Sequence, residues 1–227
     1  MNHYAFFLLA FFSLGLFSCS DQLAKSYTVA ELLDNQQNHL QLPLEQNPDL
    51  LLLCQELDET DIPGIKNRLE RPGIQELEAS FALYFLGQKY FQQDSFEQGL
   101  AIMEKVAENY LNPLAFTRLM LLHKTDPSRF AQLPAGQGQG FQPDMAKAHY
   151  YLHAALNSAI FMMERFNDRG PVDDVNRYAQ GFIQILEEGD SSQLRGLNLE
   201  AAEAKMKAEL PQLEAKFEAL YPAPPAS

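Results

Sequence analysis

The sequence of residues 95–110 is SFEQGLAIMEKVAENY, and the spacing of its apolar side chains decides the fold class. These side chains recur about one helical turn apart, at Phe96, Leu100, Met103, Val106, Ala107 and Tyr110. Steps of three and four residues return side chains to one face of an α-helix, whereas a half-buried strand needs strict alternation. The stretch therefore predicts an amphipathic helix that buries one face.

The same helical spacing continues along most of the chain on both sides of this segment. Prolines and capping residues mark several helix starts, among them Asn47 as N-cap before Pro48 at the first helical position, Pro113, Pro143 and Pro171. The predicted helices cover 47–59, 74–91, 95–110, 113–123, 143–166, 171–188 and 199–221. No segment shows sustained alternation, so the predicted fold class is all-α.

An internal repeat emerges when the predicted helices are aligned with one another. The small and apolar positions Ala82, Leu86 and Tyr90 recur as Ala115, Leu119 and His123. In the following helix, Gly99, Ile102, Met103, Val106 and Ala107 recur as Ala148, Tyr151, Leu152, Ala155 and Leu156, and a degenerate third copy contains Ala179, Phe182, Ile183 and Leu186. A single helix pair cannot bury its apolar face alone, so the repeat predicts stacked pairs that cross at small residues.

The pattern Ala82-x3-Leu86-Gly87-x2-Tyr90, with Asp94 and the small–apolar–small helix after it, resembles a Sel-one-like repeat, a relative of the tetratricopeptide repeat. The stretch from Gly140 to Ala155 is similar to the second half of that motif, and the resemblance covers roughly 79–187. It implies a short right-handed α-solenoid of stacked antiparallel helix pairs that contacts another protein, and the family supplies no catalytic residue.

The expected organisation of the body follows from the same resemblance. N-terminal helices occupy 29–78, the repeat region covers 79–190, and 191–221 resembles the charged helix that closes such arrays. The Pro- and Ala-rich segment 222–227 predicts a disordered tail.

The N-terminus has the features of an export signal. Residues 4–17 are almost wholly apolar and no charged side chain precedes Asp21, yet the run is shorter than the roughly 20 residues that span a membrane. Leu16-Phe17-Ser18-Cys19 resembles the bacterial lipoprotein cleavage box. That resemblance implies a signal peptide at 1–18, lipid on Cys19, a tether at 19–28 and, from Ser20, sorting to the outer membrane facing the periplasm. An ordinary cleaved signal and an uncleaved anchor are the alternatives.

Composition limits the classes of partner. The 17 basic and 30 acidic residues give a net charge of −13, which argues against a nucleic-acid partner. If Cys19 carries lipid, Cys54 is the only other cysteine, and its Leu-rich surroundings favour a small buried core residue. We expect a protein partner in the cell envelope and a membrane attachment through Cys19.

Catalytic and metal-binding patterns are weak. His149 and His153 have the i, i+4 spacing that can hold zinc, but Tyr150 replaces the glutamate of the metalloprotease motif, and no third ligand is positioned by sequence. We interpret both histidines as partly exposed packing residues, and we expect no cofactor, no metal and no catalytic residue. The expected function is therefore non-catalytic protein binding, as an assembly scaffold or toxin-immunity protein; the alternative is a lipid-anchored envelope hydrolase or metal-binding protein.

The partner-binding surface is expected on the first helix of each pair and on the insertion between Lys124 and Gln142, because stacked repeats bind through their concave face and rim. A long insertion in a compact repeat is often functional. The predicted contact residues are the outward-facing Gln88, Lys89, Arg118 and Lys124, with Arg129 and Phe130 in the insertion.

Overall fold

The computed structural model describes residues 25–34, 49–124, 138, 140–167, 170–188 and 197–222. These residues form α-helices and no strand, which confirms the all-α class. The helices are α1 (Val29–Leu33), α2 (Leu50–Glu59), α3 (Ile62–Leu69), α4 (Glu76–Gln92), α5 (Phe96–Tyr110), α6 (Pro113–Lys124), α7 (Met145–Phe166), α8 (Gly170–Glu188) and α9 (Leu199–Leu220).

Two details of the N-terminal helices differ from the sequence prediction. Helix α2 begins after Asp49 rather than after Asn47, because the Asp49 carboxylate accepts a hydrogen bond from the Leu52 N–H at 3.0 Å and caps the first turn. The apolar pattern predicts no separate helix at α3. It forms because Asp61 caps it by accepting from the Gly64 N–H, while Ile65 and Leu69 are buried one turn apart.

The predicted tether at 19–28 contacts the body over its last four residues. The Gly73 N–H donates to the Lys25 carbonyl at 3.2 Å, and Tyr27 packs against the core. The Thr28 hydroxyl accepts from the Glu31 N–H, and the Glu31 carboxylate accepts from the Thr28 N–H. This capping box starts α1 and attaches the chain to the body from Lys25 onward.

From α3 to α8, each helix packs against the next helix along the chain. Contacts also join α6 with α8, α7 with α9, α2 with α4 and α1 with α5. The core between them is apolar and aromatic, and Phe81, Phe91, Phe116 and Phe182 are at most 2 % exposed. Helix α6 is therefore enclosed on most of its circumference, and every residue from 113 to 120 is buried.

Helices α4 and α5 approach closely at two glycines. A Cβ atom on Gly87 would lie 2.9 Å from Met103 Cε, and one on Gly99 would lie 2.7 Å from Phe91 Cδ1. Carbon atoms cannot approach that closely without displacement, so the missing side chains let the two helices interlock. The expected small residues at helix crossings are thus present between α4 and α5.

Hydrogen bonds from two buried tyrosines connect the ends of the described chain. The Tyr110 hydroxyl donates to the Leu32 carbonyl at 2.6 Å, and the Tyr221 hydroxyl donates to the Tyr110 carbonyl at 2.9 Å. Tyr221 is 2 % exposed, and its burial raises the pKa of the phenol. With Phe217 and Leu220, it anchors the end of α9 in the core.

Candidate functional site

A groove of about 280 Å³ lies between α4 and α6. Both helices contribute side chains spaced by three or four residues, and the end of α2 adds one more. The α4–α6 groove, as we call it, is lined by Asp58, Tyr84, Phe85, Gln88, Gln92, Leu114, Thr117, Arg118 and Leu121. The lining combines amide, hydroxyl and guanidinium groups with aromatic and aliphatic surface, which suits recognition of a peptide or protein segment.

A buried asparagine fixes the separation of the two helices at one end. The Asn112 side-chain oxygen accepts hydrogen bonds from the Leu114 and Ala115 N–H groups, at 2.9 and 3.2 Å, and caps α6. The Asn112 amide nitrogen donates to the Ser80 hydroxyl of α4 at 2.8 Å. One side chain therefore both starts α6 and holds it against α4.

Arg118 is the buried cation of the groove. Its side chain is 8 % exposed, and its guanidinium lies 5.4 Å from the centre of the Phe91 ring. A guanidinium at this distance is attracted by the face of an aromatic ring. Because Gly99 leaves space for the Phe91 ring, the close crossing of α4 and α5 indirectly sets the position of Arg118.

Three amide or hydroxyl side chains of α4, and one of α6, are arranged along the groove. The Gln88 amide nitrogen donates to the Tyr84 hydroxyl at 2.6 Å, one turn away on the same helix. The Thr117 hydroxyl on the opposite wall donates to the Pro113 carbonyl at 2.7 Å. Gln92 is exposed at the C-terminal end of α4. Polar groups therefore line the groove at several positions along its length.

The structure brings some of the predicted contact residues together and separates others. Gln88 and Arg118 line the groove, while the Lys89 ammonium next to it donates to the Asp58 carbonyl. Lys124 lies elsewhere, 5.5 Å from the centre of the Phe182 ring of α8, and burial lowers the pKa of its ammonium. Arg129 and Phe130, like Cys19, fall outside the described residues.

The prediction that Arg118 faces outward is wrong. Helix α6 packs against α5, α7 and α8, so its first two turns are buried, and Arg118 is only 8 % exposed where it lines the groove. Tyr84, Gln92, Thr117 and Leu121 also line the groove and were not predicted. For the two α4 residues the signal is the i, i+4 spacing of 84, 88 and 92 along a helix that is otherwise mostly apolar.

The end of the predicted insertion is attached to the core. The Phe141 ring centre lies 5.6 Å from that of Phe96 and 5.0 Å from that of His123. Its N–H donates to the Gly138 carbonyl, and Gly138 has a φ of 71° that L-residues seldom adopt. The C-terminal end of the insertion is therefore anchored beside α5 and α6.

Two histidines, one on α6 and one on α7, are more buried than the sequence suggests. His149 is 1 % exposed, which corrects its prediction as a partly exposed residue, whereas His153 is half-buried. His123 is 3 % exposed, and burial lowers the pKa of its imidazole from 6.5 to about 4. Within the described parts of the chain, no three His, Cys, Asp or Glu side chains are grouped so that they could hold a metal ion.

Cys54 is half-buried and packs against the apolar core, in partial agreement with its expected place. None of the helices in the described ranges is long and apolar enough to cross a membrane. No protein-family model, no curated protein and no solved structure significantly matches this chain. Its functional assignment therefore depends on the residues and the geometry described above.

Proposed function

We propose that the chain is a non-catalytic, lipid-anchored protein of the bacterial cell envelope that binds another protein through the α4–α6 groove. The observation that carries the binding role is the groove itself, in which a nearly buried arginine and several amide and hydroxyl groups line a cleft between two helices. The anchoring role is supported by the Leu16-Phe17-Ser18-Cys19 sequence, which resembles a lipoprotein cleavage box.

In this proposal, helices α4 and α5 form one pair of a short right-handed solenoid, and helices α6 and α7 form the next pair. Helix α9 closes the array. Support comes from the packing of consecutive helices, from the additional contact of α6 with α8, and from the recurrence of small residues in the sequence. The groove then lies between the first helices of two neighbouring pairs, where stacked repeats present their concave surface.

The size of the groove suits a few side chains of a protein partner. Its volume is about 280 Å³, near the lower end of the roughly 300–1,000 Å³ that small-molecule sites commonly enclose. Two or three side chains of a partner segment would fill it. The net charge of −13 argues against nucleic acid as that partner, because nucleic-acid affinity depends on neutralised phosphates.

Filling the groove tests the binding role. We expect Gln92→Trp to lower the amount of partner that co-purifies with the detergent-solubilised protein at least about tenfold, because a bulky indole where the groove meets the C-terminal end of α4 blocks contacts worth 1.4 kcal/mol or more. Quantitative mass spectrometry of the co-purified proteins measures the loss.

The matched control is Gln93→Trp, since Gln93 is the next residue, is also exposed, and does not line the groove. That variant should retain partner capture within about twofold of the parent protein. Equal losses of partner capture in both variants, or no loss in Gln92→Trp, would show that the groove is not part of the binding surface.

A further inference from the structure

His123 lies in an environment that suits only a neutral ring. Its ring centre is 5.0 Å from that of Phe141 and 5.6 Å from that of Tyr151, and neither nitrogen has a hydrogen-bond partner among the described residues. An imidazolium carries two N–H donors, and a buried donor without an acceptor destabilises the structure. Protonation therefore favours an arrangement in which His123 reaches water.

A pair of histidines lies on the neighbouring helix, α7. The rings of His149 and His153, one turn apart, have centres separated by 4.5 Å. His149 is 1 % exposed, and its Nδ1 atom has no hydrogen-bond partner in the described chain. Two positive charges at this separation would repel each other with little water between them. Protonation of the pair therefore also destabilises the packing of α7 against its neighbours.

The surrounding charged side chains do not offset the destabilisation that protonation of these three rings would cause. Asp144 favours a positive His123, but Lys147 opposes it. Glu203 of α9 favours positive charge on His149 and His153, while His153 opposes positive charge on His149. For all three histidines, burial has the largest influence and lowers the imidazole pKa.

We propose that α7 is held by an acid-sensitive latch, in which protonation of His123 at the α6–α7 interface, together with protonation of His149 and His153 on α7, loosens α7 from the helices packed against it. Helix α6 also carries Arg118, Leu121 and the other groove residues of one wall, so opening the latch would distort the α4–α6 groove. The consequence for partner binding depends on the proposed function, whereas the latch itself is a property of the free chain.

The direction of the pH effect follows from the pKa shifts. An imidazole in the open state titrates near 6.5, and the closed state lowers the pKa of His123 to about 4. Between these two values the open state binds more protons, so the closed state loses stability as the pH falls. Below about 4 both states are protonated, and His123 causes no further loss.

Amide hydrogen exchange of the full mature protein in detergent, without any partner, tests the latch. After correction for intrinsic exchange rates, we expect the opening equilibrium of peptides from α6 and α7 to increase at least about tenfold between pH 7 and pH 5. Peptides from α2 and α3, which contain no histidine, should change less than about twofold and serve as the internal control.

Two variants separate the latch from general acid sensitivity. His123→Phe preserves an aromatic ring between Phe141 and Tyr151, and His153→Gln removes the repulsion of the pair at a half-buried site. Each should reduce the pH dependence in α6 and α7. The proposal is overturned if the parent protein shows no selective opening by pH 5, or if the double variant opens as the parent does. Failure of partner capture would leave this result unaffected and would bear on the groove alone.

Discussion

Ala107→Arg is expected to cost at least about 3 kcal/mol in the free energy of unfolding, since it overpacks the core and buries a charge. Ala107 is 0 % exposed on α5, whose neighbours include α4 and α6. For a chain of this size, such a loss lowers the Tm by about 10 °C. Circular dichroism at increasing temperature measures the effect.

Ala101→Arg provides a matched control on the same helix. Ala101 is exposed, so this variant makes the same change in helix propensity and charge without burying anything. Its Tm should stay within about 2 °C of the parent value. If the two variants have the same Tm, the assigned orientation of α5 is incorrect. Ala155 of α7, also 0 % exposed, should behave like Ala107 when replaced by arginine.

Cys19→Ala is expected to abolish lipid attachment completely, because the proposed thioether can form only on a thiol. Metabolic labelling with a palmitate analogue should give a strong signal for the parent protein and none for the variant. The variant should accumulate as an unprocessed precursor or appear as a soluble secreted form. Stable anchoring requires two or more acyl chains, so fractionation should show the same all-or-none difference.

Cys54→Ala is the corresponding control, since Cys54 is the other cysteine of the chain and lies on α2 within the body. It should be labelled as strongly as the parent protein. Equal labelling of the Cys19→Ala variant would contradict the lipoprotein assignment. It would instead favour an ordinary signal or an uncleaved anchor at the N-terminus.

Helix positions were predictable where apolar periodicity and proline agreed. Helix α5 and the start of α6 at Pro113 follow the pattern closely. Helix α3 did not, because its buried face consists of only Ile65 and Leu69, too few positions to define a period. Its start depends on the Asp61 cap, a local signal that short polar loops share.

The packing of neighbouring helices determined the burial of side chains that the spacing of apolar residues could not predict. A lone arginine on a helix usually faces solvent, but α6 is enclosed by its neighbours, and Arg118 is buried against Phe91. His149 is buried for a similar reason, since α7 contacts α6, α8 and α9. Spacing along one helix indicates which residues share a face, but it does not indicate how many faces other helices cover.

Site-specific photocrosslinking in the envelope tests the central claim most directly. A benzophenone amino acid at Gln88 would lie in the α4–α6 groove, whereas one at Glu97 would lie at an exposed position on α5 outside it. The proposed function predicts one discrete protein adduct from position 88, none from position 97, and loss of the adduct when Gln92→Trp is added. No adduct at position 88, or the same adducts at both positions, would contradict it.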